Sequence, residues 1–429
     1  MSFGIPVRNG LSVGLLASTF LTPNSGRLVP RLTLNFLAGA PLDSRITFTR
    51  STTATFVGSN GLIQSSAIDA ARFDYNPATL APLGLLIEEQ RVNLALQSNG
   101  FGTTPWSTGA SFTTTANQII SPDGTNNGWK FELTTGAAAN LFQTITATST
   151  SCAYSLYVKQ GTGPTTANVF GIRNSTTATN LVFIQLNYST GAFVYTAGST
   201  GATVTNAGNG WWRVQMVVTS GITVGNSLFV YAMSTSGAAG DFAYLYGAQF
   251  EAGSFATSYI PTVASTVTRA ADAASMTGTN FSSWYDQSQG TFVASYINPV
   301  VASGKFPSIY AARIQATNNS QNTSEVFSAT ASAQNLVRIS GADQAVIALG
   351  GAFTPGTIRT VAAAYQVNNF AAAYDGILGG TDTNGNVPTA LDMLNIGYNS
   401  TSDQINSRIR YINYYATRLT NAQLQALST

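Results

Sequence analysis

The chain has 429 residues, enough for two or three domains. Charged residues make up 8% and hydrophobic residues 44%, so the chain forms a core while carrying far less charge than the about 25% usual in globular domains. The net charge is +2 with no run of Lys or Arg, which leaves nucleic-acid binding unsupported. The absence of histidine removes Ser-His-Asp and Cys-His catalysis and every His-containing metal site. The single cysteine, Cys152, removes disulfide frameworks and thiolate clusters.

Residues 1–44 read as an irregular arm, with Gly, Pro and Asn between short apolar runs. Within it, residues 8–21 faintly mimic a signal peptide but lack a clean small-x-small cleavage site. No run of about 20 apolar residues occurs, so no membrane-spanning helix is predicted. Residues 45–70 predict short strands around the turn signal Ser59-Asn60-Gly61. The run Gly84–Ile87 predicts a buried strand, followed by polar Glu88, Glu89, Gln90 and Arg91.

From 95 to 272, strand-like runs recur with turns between them, at Gly128–Leu133, Tyr154–Val158, Leu181–Leu186, Ala192–Tyr195, Trp211–Val218, Ser227–Tyr231 and Ala243–Phe250. This spacing predicts a β-sandwich or jelly roll. Cys152 lies in an alternating run and reads as a buried small hydrophobe. Residues 273–284 read as a linker. Residues 285–429 predict a second sandwich, with strands at Gly290–Ile297, Thr357–Tyr365 and Phe370–Tyr374 and a turn at Asp375-Gly376. Near the end, Thr420 reads as the N-cap of a short helix carrying Leu424 and Leu427. The fold class expected is therefore all-β: an irregular N-terminal region over 1–94, which the resemblance described next makes an anchoring region, then two antiparallel sandwiches over 95–272 and 285–429.

Two strings are too particular to follow from composition. One runs from Arg72 through Phe73, Asp74 and Tyr75 to Leu94; the other runs from Phe255 through Tyr259, Ile260 and Pro261 to Arg269 and Asp272. Together they resemble segments of virion surface proteins of tailed bacteriophages, of the head-fibre, tail-fibre and spike type, where such strings flank a carbohydrate-module-like jelly roll. The runs Gly208–Val214 and Leu245–Glu251 resemble late strands of that module, and the last 140 or so residues resemble concanavalin and laminin-G sandwiches. The resemblance implies a place on the virion surface, with other virion proteins as partners and a homo-oligomer, a trimer in the fibre case. A surface poor in Lys and Glu also lacks the usual protection of sheet edges, which favours assembly. The resemblance makes Arg72, Phe73, Asp74, Tyr75, Pro77, Leu80, Gly84, Glu88, Glu89, Arg91 and Asn93 the anchoring motif, with Glu88 and Glu89 pairing with Arg91 or Arg72.

Enzyme chemistry is not expected. Glycoside hydrolysis needs two carboxylates about 5–10 Å apart. Glu88 and Glu89 are adjacent and would face opposite sides of a strand, while Asp382, Asp392 and Asp403 are separate and loop-like. Those loop oxygens leave room for a weak Ca²⁺ site without defining a ligand set; no other cofactor is indicated. Aromatic residues are the better binding groups, because sugar faces stack on Trp and Tyr. Trp106, Trp129, Trp211 and Trp212 are the candidate glycan-binding residues. Trp211 and Trp212 must point to opposite faces of a strand, one of them core. A structural phage surface protein that binds host surface polysaccharide is the leading expectation. A tailspike-type depolymerase and a secreted bacterial carbohydrate-binding protein are the alternatives.

Overall fold

The computed structural model describes residues 28–107, 109–162, 168–198, 201–300, 309–315, 322–328, 333–350, 354–398 and 404–429, with backbone alone for 309–315, 322–328 and 333–334. The fold is almost entirely β, with four large antiparallel sheets stacked in two pairs and two two-stranded sheets beside them.

In the first sandwich a six-stranded sheet runs in the order Ala202–Asn206, Trp211–Val218, Cys152–Gln160, Phe242–Ala252, Gly128–Leu133, Phe112–Ile119. It faces a five-stranded sheet in the order Ala139–Thr146, Ser227–Thr235, Val169–Asn174, Thr179–Leu186, Phe193–Ala197. Alternate side chains of each sheet meet between them: Leu156, Val158, Val214 and Met216 from one, Ile172, Val182, Ile184 and Val230 from the other. Cys152 is part of this core, and burial pushes its thiol up to about 12. The strand Cys152–Gln160 does not alternate in burial; its first seven residues are all buried. A strand buried on both faces has something covering its outer side, and here that cover is the rest of the chain.

The second sandwich is built from both ends of the sequence. Its eight-stranded sheet runs Ile377–Asp382, Phe370–Tyr374, Ile358–Gln366, Gln289–Ile297, Ser407–Tyr415, Pro82–Ile87, Phe73–Tyr75, with Leu32–Asn35 also pairing along Ser407–Tyr415. The opposing seven-stranded sheet runs Thr47–Thr49, Ala273–Thr277, Met393–Ile396, Ile309–Gln315, Asn322–Ser328, Ala333–Ile339, Ala342–Leu349. Leu34, Phe36, Phe48 and Leu85 from the N-terminal region share one core with Phe292, Ile396 and Tyr414. On the outer side of the eight-stranded sheet, Ala362, Ala364, Ala371 and Ala373 form a floor of small side chains on which Leu424 of the helix Asn421–Leu427 packs. Thr420 caps that helix in a reciprocal box with Gln423.

The sheets therefore divide the chain differently from the sequence boundaries. Residues 28–44 are not a free arm, since Leu32 and Asn35 register with Tyr414 and Tyr411. Residues 273–284 are not a linker: Ala274 and Met276 pair with Ile396 and Leu394, and Phe281 and Trp284 sit in the core. Short strands with their own apolar alternation have nothing to bury alone, and the second sandwich supplies their partner surface. The expected arm over residues 1–27 lies outside the described residues.

Candidate functional site

The two unusual strings meet between the sandwiches. Arg72 donates to Glu88 at 2.8 Å and pairs closely with Asp272, which also accepts from Arg50 at 3.1 Å. Arg269 reaches Glu88 at 2.9 Å, and Arg91 reaches Glu89 at 2.8 Å. The expected pairing of the two glutamates with Arg72 and Arg91 is thus what the ion pairs show. Burial pushes Glu88 up, but Arg269, Arg72 and Ser258 outweigh it and hold its carboxyl far below the usual range. Burial likewise opposes the charge on Arg72, and Asp272 and Glu88 overcome it.

The neighbouring residues complete the joint. Asp74 accepts from the Val57 amide at 2.8 Å and pairs with Arg408 at 2.6 Å. Arg91 stacks on Phe255 at 4.4 Å. Asn93 donates to the Ala248 and Ile260 carbonyls and accepts from the Ala95 and Phe250 amides. Gln249 and Glu251 hold the backbone of Thr257, Ser258 and Ile260. Gly84 is required by contact: with φ at +119°, an added Cβ would meet the Ile409 carbonyl oxygen at 2.1 Å. Phe73 lies in the second core, Tyr75 packs against it, and Pro77 is half-buried.

As an anchor to another protein this motif needs correcting. Most of its side chains are already engaged inside the chain, and Leu80, 49% exposed, is the large hydrophobic of the motif that faces solvent.

Two of the four tryptophans, Trp106 and Trp211, also need correcting. Trp106 and Trp211 are 4% and 1% exposed, which leaves neither a ring face for a sugar. Trp129 and Trp212 are half-buried and pack against the first core. The indole N–H groups of all four donate to backbone carbonyls, those of Gln97, Asn99, Ile120 and Tyr188 in sequence order. Trp211 and Trp212 do point to opposite faces, but the outer face is not solvent. Trp211 packs there with Tyr157, Tyr246 and Tyr259, beneath Ile63 and Ile119.

A different aromatic group is open. On the outer face of the five-stranded sheet, Phe142, Phe183, Phe229 and Tyr231 are half-buried, while their strand neighbours Leu141, Val182, Leu228 and Val230 fill the core. Phe142 registers with Tyr231, Tyr231 with Gly171, and Gly171 with Phe183, so one row crosses four strands. Gly171 lets the Phe183 ring lie over the backbone toward Tyr231, with centroids 5.2 Å apart. Phe142 lies 4.7 Å from Phe229 and 5.3 Å from Tyr231. The rings are inclined by 37–73°, making a corrugated surface.

Polar groups rim this surface. Arg173 registers with Phe229 and donates to Asn180 at 3.1 Å, and Gln185 stands half-buried on the Phe183 strand. Burial raises the Tyr231 phenol, and the positive charge of Arg173 draws it partly back. Sequence reasoning missed this face because Leu228-Phe229-Val230-Tyr231 is apolar at every position, so alternation cannot say which side is core.

Among the described residues no three His, Cys, Asp or Glu side chains gather as a metal site. Asp382 accepts from the Asn384 amide, and Asp403 lies outside the described residues. No described helix is long and apolar enough to cross a membrane.

No family model and no curated protein sequence matches this chain. Among solved structures, it is similar to the CBM40 of the Ruminococcus gnavus IT-sialidase bound to α2,3-sialyllactose, at 17% identity over 33% of this chain and 84% of that one, TM-score 0.28. It is similar to the tandem CBM22-1–CBM22-2 domain of Paenibacillus barcinonensis Xyn10C, at 12% identity over 78% and 99%, TM-score 0.26. It is also similar to domains LG4-5 of the mouse laminin α1 chain, at 8% identity over 66% and 86%, TM-score 0.21. The likeness is low throughout.

Proposed function

We propose that this chain is a non-enzymatic, glycan-binding surface protein of a tailed-phage particle. The observation that carries the binding half is the open row of Phe142, Tyr231 and Phe183, with Phe229 beside it and Arg173, Asn180 and Gln185 at its rim. Rings offer their faces to the apolar side of a sugar, and the rim groups bind its hydroxyls. A host surface polysaccharide presents many such sugars, so a weak single site gains avidity when a homo-oligomer displays many copies. The particle half rests on the two strings at 72–94 and 255–272, which resemble those of phage fibres and spikes.

Two measurements test this. A glycan array probed with the full chain is expected to give polysaccharide binding that Tyr231→Ala reduces about tenfold, roughly 1.4 kcal/mol. Binding that survives both Tyr231→Ala and Phe229→Ala would remove the aromatic face from the account. Cryo-EM of purified particles is expected to find the chain on the outside, joined to other virion proteins. Its absence from particles would make it a free carbohydrate-binding protein.

A further inference from the structure

A cleft of about 210 Å³ lies between the sandwiches, on the side of the first one opposite the aromatic face. Arg213 and Tyr157 enter it from the six-stranded sheet, Asn298 and Arg408 from the second sandwich, and Val300, 49% exposed, lies at its edge. The volume is below the about 300–1,000 Å³ of drug-sized sites, which limits an occupant to one small ring.

Charge in the cleft is uneven. Arg408 is answered by Asp74 at 2.6 Å, and Glu88 by Arg72 and Arg269. Arg213 has no carboxylate within ion-pair distance among the described residues. Its Nη2 donates to Ser155 Oγ at 3.2 Å and to the Thr257 carbonyl at 2.5 Å, and its guanidinium lies 5.5 Å from the Tyr157 ring centroid. Its Nε is buried without an acceptor. Across the cleft Asn298, 2% exposed, donates through Nδ2 to the Thr354 carbonyl and Thr357 Oγ1, while its Oδ1 is buried without a donor. A cation lacking a counter-ion and an acceptor lacking a donor both disfavour an empty site.

We propose that this cleft binds a single sugar acid, its carboxylate on the open side of Arg213 and one of its hydroxyls donating to Asn298 Oδ1. A carboxylate supplies what Arg213 lacks and a hydroxyl supplies what Asn298 lacks; a neutral sugar provides only the second, and a simple carboxylate only the first. The site is independent of the aromatic face and stands or falls separately from it.

Calorimetric titration of the full chain tests this, with D-glucuronate, D-glucose and acetate as probes. Glucuronate is expected to bind saturably, to weaken as salt rises from about 0.05 to 0.5 M, and to bind at least tenfold more tightly than either control. Arg213→Gln is expected to lose at least tenfold for glucuronate. Should that variant fail to fold, Asn298→Asp, which sets a like charge on the cleft wall, is expected to abolish binding. No saturable glucuronate binding, equal binding of glucose or acetate, or an unaffected Arg213→Gln or Asn298→Asp variant would each overturn the proposal.

Discussion

At the junction, Arg50, Arg72 and Arg269 are 1% exposed or less, and each faces a carboxylate. On the five-stranded face, Arg173 is half-buried and donates to Asn180, among rings that are themselves half-open. A guanidinium in the interior is tolerated only with charge and hydrogen bonds around it, so the junction's groups are committed to one another. A guanidinium at the surface keeps its water and remains available to a ligand. The same residue type therefore marks a structural joint in one region and a binding rim in the other, and burial decides which.

The largest effect expected follows from removing one member of the joint. Arg72→Ala leaves Asp272 and Glu88 buried with part of their compensation gone, and is expected to destabilise the chain by about 3–5 kcal/mol. Arg173→Ala is expected to change stability by about 0.5 kcal/mol or less. Urea denaturation of both variants checks the contrast. Because the joint ties the two sandwiches, calorimetry of Arg72→Ala is expected to split one transition into two. Equal, small effects of the two substitutions would erase the distinction between the regions.

Acid sharpens the same contrast. Glu88 is held far below its usual range in the folded state, so its contribution is present above the unfolded carboxylate pKa of about 4.3 and is lost as pH falls toward the folded value. Between about pH 5 and 3 the unfolded chain takes up a proton there that the folded chain does not, so stability falls with a slope of up to about 1.4 kcal/mol per pH unit from this group. Glu88→Gln is expected to be less stable at neutral pH and to show a flatter slope over that window. Denaturation midpoints measured at several pH values read this directly. A parallel slope in the variant would mean that the Arg72 and Arg269 pairs do not set the acid response.

The regions were unequally legible in sequence. Strands such as Gly128–Leu133, Trp211–Val218 and Phe370–Tyr374 were readable because apolar runs bounded by turns carry their own signal. The Glu88–Arg72 pair was readable as a pairing of opposite charges within one string. That Asp272 and Arg269 close the same network was not, because the partners lie about 200 residues apart, as the separation of 200 between Arg72 and Asp272 shows. The same distance hid the fact that the strands Leu32–Asn35, Thr47–Thr49, Phe73–Tyr75 and Pro82–Ile87 complete the C-terminal sandwich. Trp211 misled for a related reason: strand geometry set it opposite Trp212, but the residues covering its face include the distant Ile63 and Tyr259. Periodicity reports which side chains share a face and stays silent on what lies opposite.

On the aromatic face the expected effects are smaller. Phe229→Ala truncates a half-buried ring on the outer side of the sheet, so it is expected to weaken glycan binding several-fold while the stability falls by about 1 kcal/mol. Binding and denaturation measured on one preparation separate these. A loss of stability as large as that of Arg72→Ala would make the face a structural element like the junction.

Gly171→Ala tests the same surface without removing any ring. Gly171 stands in register between Tyr231 and Phe183, and an added Cβ would lie 2.3 Å from Phe183 Cδ1 and 2.5 Å from its Cε1. The clash is with a side chain rather than with backbone, so the ring can swing away. The expected destabilisation is correspondingly modest, about 1 kcal/mol, at the low end for overpacking. Displacing Phe183 opens a gap in the row beside Tyr231, so glycan affinity is expected to fall about three-fold, less than for Tyr231→Ala. A crystal structure of the variant would show where the ring goes. If the ring moves and binding holds, the sugar-binding footprint contracts to Phe142, Phe229 and Tyr231, and the rim groups on the Phe183 strand, Gln185 first, leave the site with it.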